Sequence, residues 1–320
     1  MIRVFVASCA LLAFLPATLA PAQSIEPPPE WAYPITPPDF KAPPDDGSLR
    51  RVPDSSATFT LTQVRDRQFS PDWHPQDHPA QPEVVARGRK PDVPACGFCH
   101  RADGPGGPEN ANLAGLPKEY LIRQAAEFKS GARKTSVPKR NIDQKQGIFQ
   151  AASDAEVEAA ASYFSSLKPR RVMQVVESDT APATFIIANH YAPDPGGGKQ
   201  ALGRRIVEVP EDLERFISRD SHVRFIAYVP VGAVQQGRTL AETGGGRTVP
   251  CASCHGADLK GVGDIPGIAG RSPSYLVRQL YDFKNGMRTG TQSGQMKPTV
   301  EKLTVDDMLT LAAYLASLAP

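Results

Sequence analysis

Cysteine, aromatic side chains and an excess of either charge are all scarce in this chain, and each shortage excludes something. Thirty-six basic residues against 34 acidic ones leave a net charge of +2 over 320 residues. A balance that even provides no basic field for nucleic acid, and no acidic tail is present. Five cysteines are too few for a disulfide-stapled scaffold of this length. After the first two dozen residues no apolar run approaches the roughly 20 residues that cross a bilayer, so the sequence predicts no later membrane span. Aromatics make up 7% of the chain, fewer than a large all-protein core of this size would be expected to use.

Proline, by contrast, is abundant. There are 32 prolines, and they crowd into residues 16–94. Such a stretch predicts an extended, wrapping arm more than a compact domain. The chain opens MIRVFVASCALLAFLPATLAPAQS. Arg3 forms a short basic region, Val4 to Leu15 is apolar, and Ala20-Pro21-Ala22 offers a small-residue cleavage site. This pattern predicts a secretory signal peptide at 1–22, cut after Ala20 or Ala22, with export to the periplasm. A retained anchor is the competing reading, but the run is short for one. Cys9 would leave with the leader.

The four cysteines that stay are paired, and each pair is followed at once by histidine: Cys96-Gly97-Phe98-Cys99-His100 and Cys251-Ala252-Ser253-Cys254-His255. C-x-x-C-H is the attachment signature of haem c. Two thiols three residues apart on a helical turn each bond one vinyl group of a single porphyrin, and the adjacent imidazole sits beneath the iron. A thioredoxin-like dithiol has no use for the histidine. A zinc ribbon places its C-x-x-C pairs roughly 15–20 residues apart, whereas these lie 155 apart. Structural disulfides do not explain the histidine twice. The sequence therefore predicts two haem c groups, held by Cys96, Cys99 and His100 and by Cys251, Cys254 and His255.

The two halves also align without a gap at that offset. NLAGLPKEYLIRQAAEFKSGAR in the first half matches GIAGRSPSYLVRQLYDFKNGMR in the second. Tyr120 pairs with Tyr275, Gln124 with Gln279, Phe128 with Phe283 and Arg133 with Arg288. Past Arg133 the offset falls to 151, so the first half carries four extra residues there. Both segments read as helices, with Pro117 and Pro273 at the first helical position and Gly286 as a stop signal. The last helix of each half opens with a capping pattern, Ser153-x-x-Glu156 and Thr304-x-x-Asp307.

This order of elements (C-x-x-C-H, a Gly-rich loop, a Tyr-Leu-x-x-Gln-x-x-x-Phe helix, a Met loop and a final Ala-Ala-Tyr-Leu helix) resembles a class I cytochrome c domain. Two in tandem resemble the dihaem cytochromes c of the c4 and c553 kind. The resemblance implies a mainly α protein: two tandem class I cytochrome c domains with a Pro-rich N-terminal arm and a connecting segment with some β structure. The boundaries read as arm 23–82, first domain 83–169, linker 170–231 and second domain 232–320. Within the linker, Val172–Val176, Phe185–Ala188, Ile206–Val209 and Phe225–Val229 are short apolar runs bounded by Pro and Gly, and read as strands.

The halves differ in the residue available as sixth ligand. In the second, Met296 lies in GTQSGQMKPT, where the family places its axial methionine; a thioether favours Fe(II) and raises the potential. Met287 is too close to the preceding helix, and Met308 belongs to the last helix's apolar stripe. No methionine stands between Arg133 and Ser153 in the first half. Lys145, or Asn141 on the other offset, falls opposite Met296. His74 and His78 upstream and Met173 just past the last helix are the other candidates, and the sequence does not choose among them. Pro266 resembles the proline whose carbonyl orients the proximal His255; its counterpart is Ala111. The first haem is thus the atypical one, and two different potentials are expected.

With no acid–base pair near either motif, the chain reads as an electron carrier rather than an enzyme. Its expected partners are redox proteins: a dehydrogenase, a quinol-oxidising complex or a terminal oxidase, with peripheral association with a membrane complex left open. Two alternatives stand beside this. One is a haem enzyme, peroxidase-like or sulfur-compound oxidising, that uses the first haem. The other is the electron-transfer subunit of a larger dehydrogenase, with residues 26–82 and 170–230 as docking surfaces.

Overall fold

The computed structural model describes residues 1–2, 26–42, 44–137 and 142–320. The expected signal peptide falls almost wholly on residues 3–25, and Asn141 is also outside the described residues.

The arm runs as a strap over everything that follows it. A 3-10 turn, Glu30–Ala32, packs on the second half, where Arg278 donates to the Ala32 carbonyl and Tyr281 to that of Glu26. The arm then crosses the inserted segment, with Thr36 bonded to Asn189 and Arg50 paired with Glu214. Helix α1 (Leu61–Arg65) begins with a Thr60/Gln63 capping box and helps form a small core of Val52, Val64 and Trp73. A second 3-10 turn, Pro75–Asp77, leads into the first half.

That half contains α2 (Glu83–Ala86), α3 (Cys96–His100), α4 (Lys118–Ser130), α5 (Ile142–Ala151) and α6 (Asp154–Ser166). Helix α4 stops at Gly131, whose φ of +75° suits a residue without Cβ. The expected capping box at Ser153/Glu156 is present. Pro117 is the N-cap residue of α4 rather than its first helical residue.

The inserted segment holds β1 (Met173–Glu177), β2 (Thr180–Pro182), β3 (Thr184–Ile187), β4 (His190–Pro193), β5 (Lys199–Ala201), β6 (Val207–Pro210), α7 (Leu213–Ile217) and β7 (Phe225–Val229). β7 is the central strand of a sheet ordered β1-β7-β6, parallel to β1 and antiparallel to β6. Its sequence FIAYV alternates strictly. Phe225, Ala227 and Val229 enter the main core, while Ile226 and Tyr228 face a second cluster around Ala181, Leu202, Val207 and Val209. The segment therefore shares one core with the second half instead of acting as a loose connector. The four expected strands are present; β2, β4 and β5 carry no apolar run that marks them.

The second half comprises α8 (Ala233–Thr243), α9 (Ala252–His255), the short ladder β8 (Gly261–Val262) with β9 (Ile265–Pro266), α10 (Pro273–Lys284), α11 (Ser293–Val300) and α12 (Val305–Ser317). Pro273 takes the first position of α10, with Ser272 as N-cap, and the Thr304/Asp307 capping box starts α12. Helices α8 and α12 cross so closely that a Cβ on Gly237 would stand 1.8 Å from the Thr310 carbonyl oxygen. At the same offset the first half has Pro82, and Pro79 lies three residues before it. Neither ring donates a backbone hydrogen bond, so α2 is a single turn and the first half has no counterpart of this crossing. Among the described residues, no helix is long and apolar enough to cross a membrane.

Gly237→Ala is expected to force α8 and α12 apart. The cost should be on the order of 2 kcal/mol and the melting temperature should fall by roughly 4–8 °C. Gly147→Ala in α5, where an added Cβ meets nothing within 4 Å, should be neutral or stabilising in the same thermal unfolding experiment.

Candidate functional site: a pair of joined pockets

Each C-x-x-C-H turn forms part of the wall of a cavity. The first cavity, about 210 Å³, is lined by Cys96, Cys99 and His100 together with Leu113, Leu121, Phe128, Ile148 and Phe164 among others. The second, about 190 Å³, is lined by Cys251, Cys254 and His255 with Ile268, Leu276, Phe283, Leu311 and Leu315. The four thiols are unbridged. Burial pushes Cys96 up to about 12 and Cys251 up to about 11, as expected for thiols facing an apolar cavity.

The two imidazoles are oriented identically. His100 Nδ1 lies 2.8 Å from the Ala111 carbonyl oxygen, and His255 Nδ1 lies 2.8 Å from that of Pro266. A carbonyl only accepts, so Nδ1 carries the proton in both and Nε2 keeps its lone pair. Burial, with a smaller contribution from Lys145, depresses His100 to about 3; burial also lowers His255. Both rings are therefore neutral, as an iron ligand must be. Replacing the proline by Ala111 costs the first half nothing visible. In the second half the Pro266 carbonyl is held by the Gly261–Pro266 ladder; in the first, a turn closes between Gly107 and Asn110. The same glycine makes room in each. A Cβ on Gly106 would lie 2.4 Å from the Ala111 oxygen, and one on Gly261 would lie 2.5 Å from that of Ile265, both at positive φ.

The candidate sixth ligands lie in different parts of the structure. Met296 lines the second pocket, though on helix α11 rather than in the expected loop; the helix forms despite Gly294 and Pro298 because Ser293 and Val300 are buried beneath it. Lys145 lines the first pocket from the corresponding helix α5, again not from a loop, with its ammonium 5.2 Å from the centre of the Phe128 ring. His74 and His78 do not line that pocket. His74 is 1% exposed and bonded to Asp220, while His78 contacts Asp72 and Tyr163. Met173 is buried in the main core, and Met308 is fully buried on α12.

The pockets meet at a seam that no single residue of the sequence announces. After α4 and α10 the chain segments pair in antiparallel fashion: Lys134 donates to the Met287 carbonyl, Thr289 donates to that of Ala132, and Arg133 faces Arg288. The Gln124 side-chain oxygen accepts from Arg133 at 2.6 Å and from Arg288 at 2.7 Å. That of Gln279 accepts from the same two at 2.8 and 3.1 Å. Leu116, Tyr120, Gln124, Tyr275 and Gln279 line both cavities. Both guanidinium groups are buried, and the Nε of each lacks a partner. Burial, then the proximity of Arg133, pushes Arg288 below the usual guanidinium range. Two buried like charges with unmet donors, at the polar end of two apolar cavities, fit the carboxylate groups of two porphyrins.

A thiol pair, a neutral imidazole turned by a carbonyl and an apolar slot with a cationic end, repeated twice, define a double site for covalently held haem. The family model for cytochrome c matches residues 85–168 and 234–319, more than half of the chain, and the protein belongs to the cytochrome c family. It carries two haem c groups in two tandem domains and is an electron-transfer cytochrome. The chain is 28% identical over 230 residues to a thiosulfate dehydrogenase electron acceptor of Thiomonas intermedia (strain K12), covering 71% of this chain and 80% of that one. It is 25% identical over 230 residues to cytochrome c4 of Azotobacter vinelandii, covering 70% and 84%. The crystal structure of reduced recombinant cytochrome c4 from Pseudomonas stutzeri aligns over 70% of this chain and 93% of that one, at 23% identity and a TM-score of 0.45.

Gly106→Ala should displace the Ala111 carbonyl and loosen His100. In a redox titration of the loaded protein, the expected result is a shift of the first potential alone, with the second unchanged.

Proposed function

We propose that the protein is an exported, periplasmic electron acceptor for a dehydrogenase, the two haems forming a relay across the arginine seam. The observation that carries this reading is the wall shared by both pockets. Each haem, when bound, supplies a one-electron iron couple. The chain's own residues do the rest. Cys96, Cys99, Cys251 and Cys254 tether, and His100 and His255 ligate through Nε2. Met296 would supply the second protein ligand in the second domain, and Lys145, as its neutral amine, would do so in the first. The apolar linings exclude water, which keeps the cost of reorganisation on electron transfer low. Arg133 and Arg288 would offer cationic partners to haem carboxylates at the junction.

Lysine at the first iron is supported by position: Lys145 lies on the helix equivalent to that of Met296 and lines the first pocket with His100. An amine and a thioether stabilise different oxidation states, which sets the first haem below the second and gives the relay a direction. A dehydrogenase as donor is supported by what the Thiomonas relative is called, and a sulfur compound is the substrate class that name suggests for the donor. Export is supported by the leader pattern at residues 1–22 and by the chemistry of haem c attachment.

Low-temperature EPR with redox titration tests the ligand assignment. Lys145→Ala should alter the oxidised signal of one haem only, and Met296→Ala should lower the potential of the other by on the order of 100 mV. Two unchanged spectra would overturn it. An intact mass measurement of the denatured protein should show a chain starting at residue 21 or 23 plus two haem increments; an uncleaved chain would remove the export reading.

A further inference from the structure

The two histidines of the arm that stay clear of the first pocket include one with an unexplained nitrogen. His74 is 1% exposed, and its Nδ1 has no hydrogen-bond partner. Its other nitrogen, Nε2, lies 2.9 Å from the buried Asp220 carboxylate. A carboxylate accepts, so the proton resides on Nε2 and the lone pair on Nδ1. This is how a metal-binding histidine is set: a second carboxylate fixes the tautomer and leaves the opposite nitrogen as donor. Asp220 is itself held in place, accepting from Arg215 through its other oxygen and from the backbone N–H of His222.

Two more donors converge on the same place. His74 caps the 3-10 turn Pro75–Asp77, and the Asp77 N–H bonds back to the His74 carbonyl. In that geometry residues three apart share a face. From the inserted segment His222 stacks on His74, with ring centres 3.6 Å apart and planes within 4°. Its Nε2 lies 2.6 Å from an Asp77 carboxylate oxygen. One donor atom from each of His74, Asp77 and His222 lies within 4.8 Å of the others.

We propose that His74, Asp77 and His222 form a binding site for a zinc-type divalent cation that pins the N-terminal arm to the inserted segment. Two imidazoles and one carboxylate suit zinc and disfavour calcium or magnesium, which take oxygen ligands. The site is three-liganded on the protein side. Asp77 and His222 are partly exposed, which leaves a water in the fourth position. Binding breaks the Nε2–H contact of His222 with Asp77: the neutral ring takes up the ion as its Nδ1–H tautomer, so that Nε2 and the carboxylate oxygen both turn to the ion with no net change in protonation. The stacked rings must fan apart at their open edge, and His222, at the surface, is the ring with room to move. The ion would join residues 145 apart, His222 and Asp77, by a bond independent of either haem.

The test uses the mature protein with both haems attached, stripped of other metal with a chelator and dialysed against zinc chloride alone. Metal analysis is expected to give one zinc for two irons, with micromolar or tighter affinity, and zinc should raise the temperature of arm-linked unfolding. His222→Ala and Asp77→Ala, both near the surface, should weaken binding by about 50-fold or more and abolish the thermal shift, with haem spectra unchanged. His78→Ala should bind as the parent does. No zinc beyond trace at about 100 µM, or equal binding in the two variants, would overturn the site and leave a stacked, carboxylate-bridged histidine pair.

Discussion

Two like charges buried side by side set the terms for this molecule. Arg133 and Arg288 come from equivalent positions of a repeat, and the antiparallel pairing of the two segments brings them face to face, with two glutamine oxygens and the Tyr275 hydroxyl accepting from them and the buried Glu127 and Asp282 carboxylates close by. Unpaired, such an arrangement is strongly unfavourable. It becomes favourable when anionic groups arrive from both sides. The junction between domains is thus conditional on what fills the two pockets. The shared lining by Tyr120, Gln124, Tyr275 and Gln279 ties the geometry of one site to that of the other.

The same constraint explains where symmetry was kept and where it was relaxed. At the junction the Tyr, Gln and Arg positions, the thiol pairs and the orienting carbonyls recur, although Leu116 stands where the second half has Arg271 and Ala111 where it has Pro266. The outer surfaces diverge. The second domain closes its far side by crossing α8 over α12 at Gly237. The first domain, with Pro79 and Pro82 where that helix would run, is backed by the arm and by loop residues of the inserted segment instead. Arg219 of the insert donates to the Phe98 carbonyl and stacks 3.7 Å from the centre of its ring, and Arg170 bridges Asp103 and the Ser221 carbonyl. The extra chain compensates for a missing helix.

Much of this could be read from residues alone, because the haem motif is local and the repeat is ungapped. C-x-x-C-H, the paired Tyr, Gln, Phe and Arg positions and both late capping boxes are dictated by short-range chemistry. What escaped was long-range. The sequence offers Met296 and Lys145 as candidates, but not the helices that carry them, since Gly294 and Pro298 disguise the first and Gly147 weakens the second. His74 and His78 resembled haem ligands by proximity in sequence, but Trp73 anchors to Ser218 and turns that segment toward the insert. The arginine seam was visible only as two aligned letters; its meaning needs the third dimension.

Residues late in the chain complete what begins early. The first pocket takes part of its wall from Tyr275, Arg278, Gln279 and Asp282, and its haem-bearing turn is braced by Arg219. Both thiol pairs therefore precede much of their own enclosure in the chain: the first pocket waits for residues up to Asp282, and the second for residues up to Leu315. Each centre is thus finished by chain that follows it, and the first is finished only by the second domain, so neither half of the repeat closes its own pocket alone.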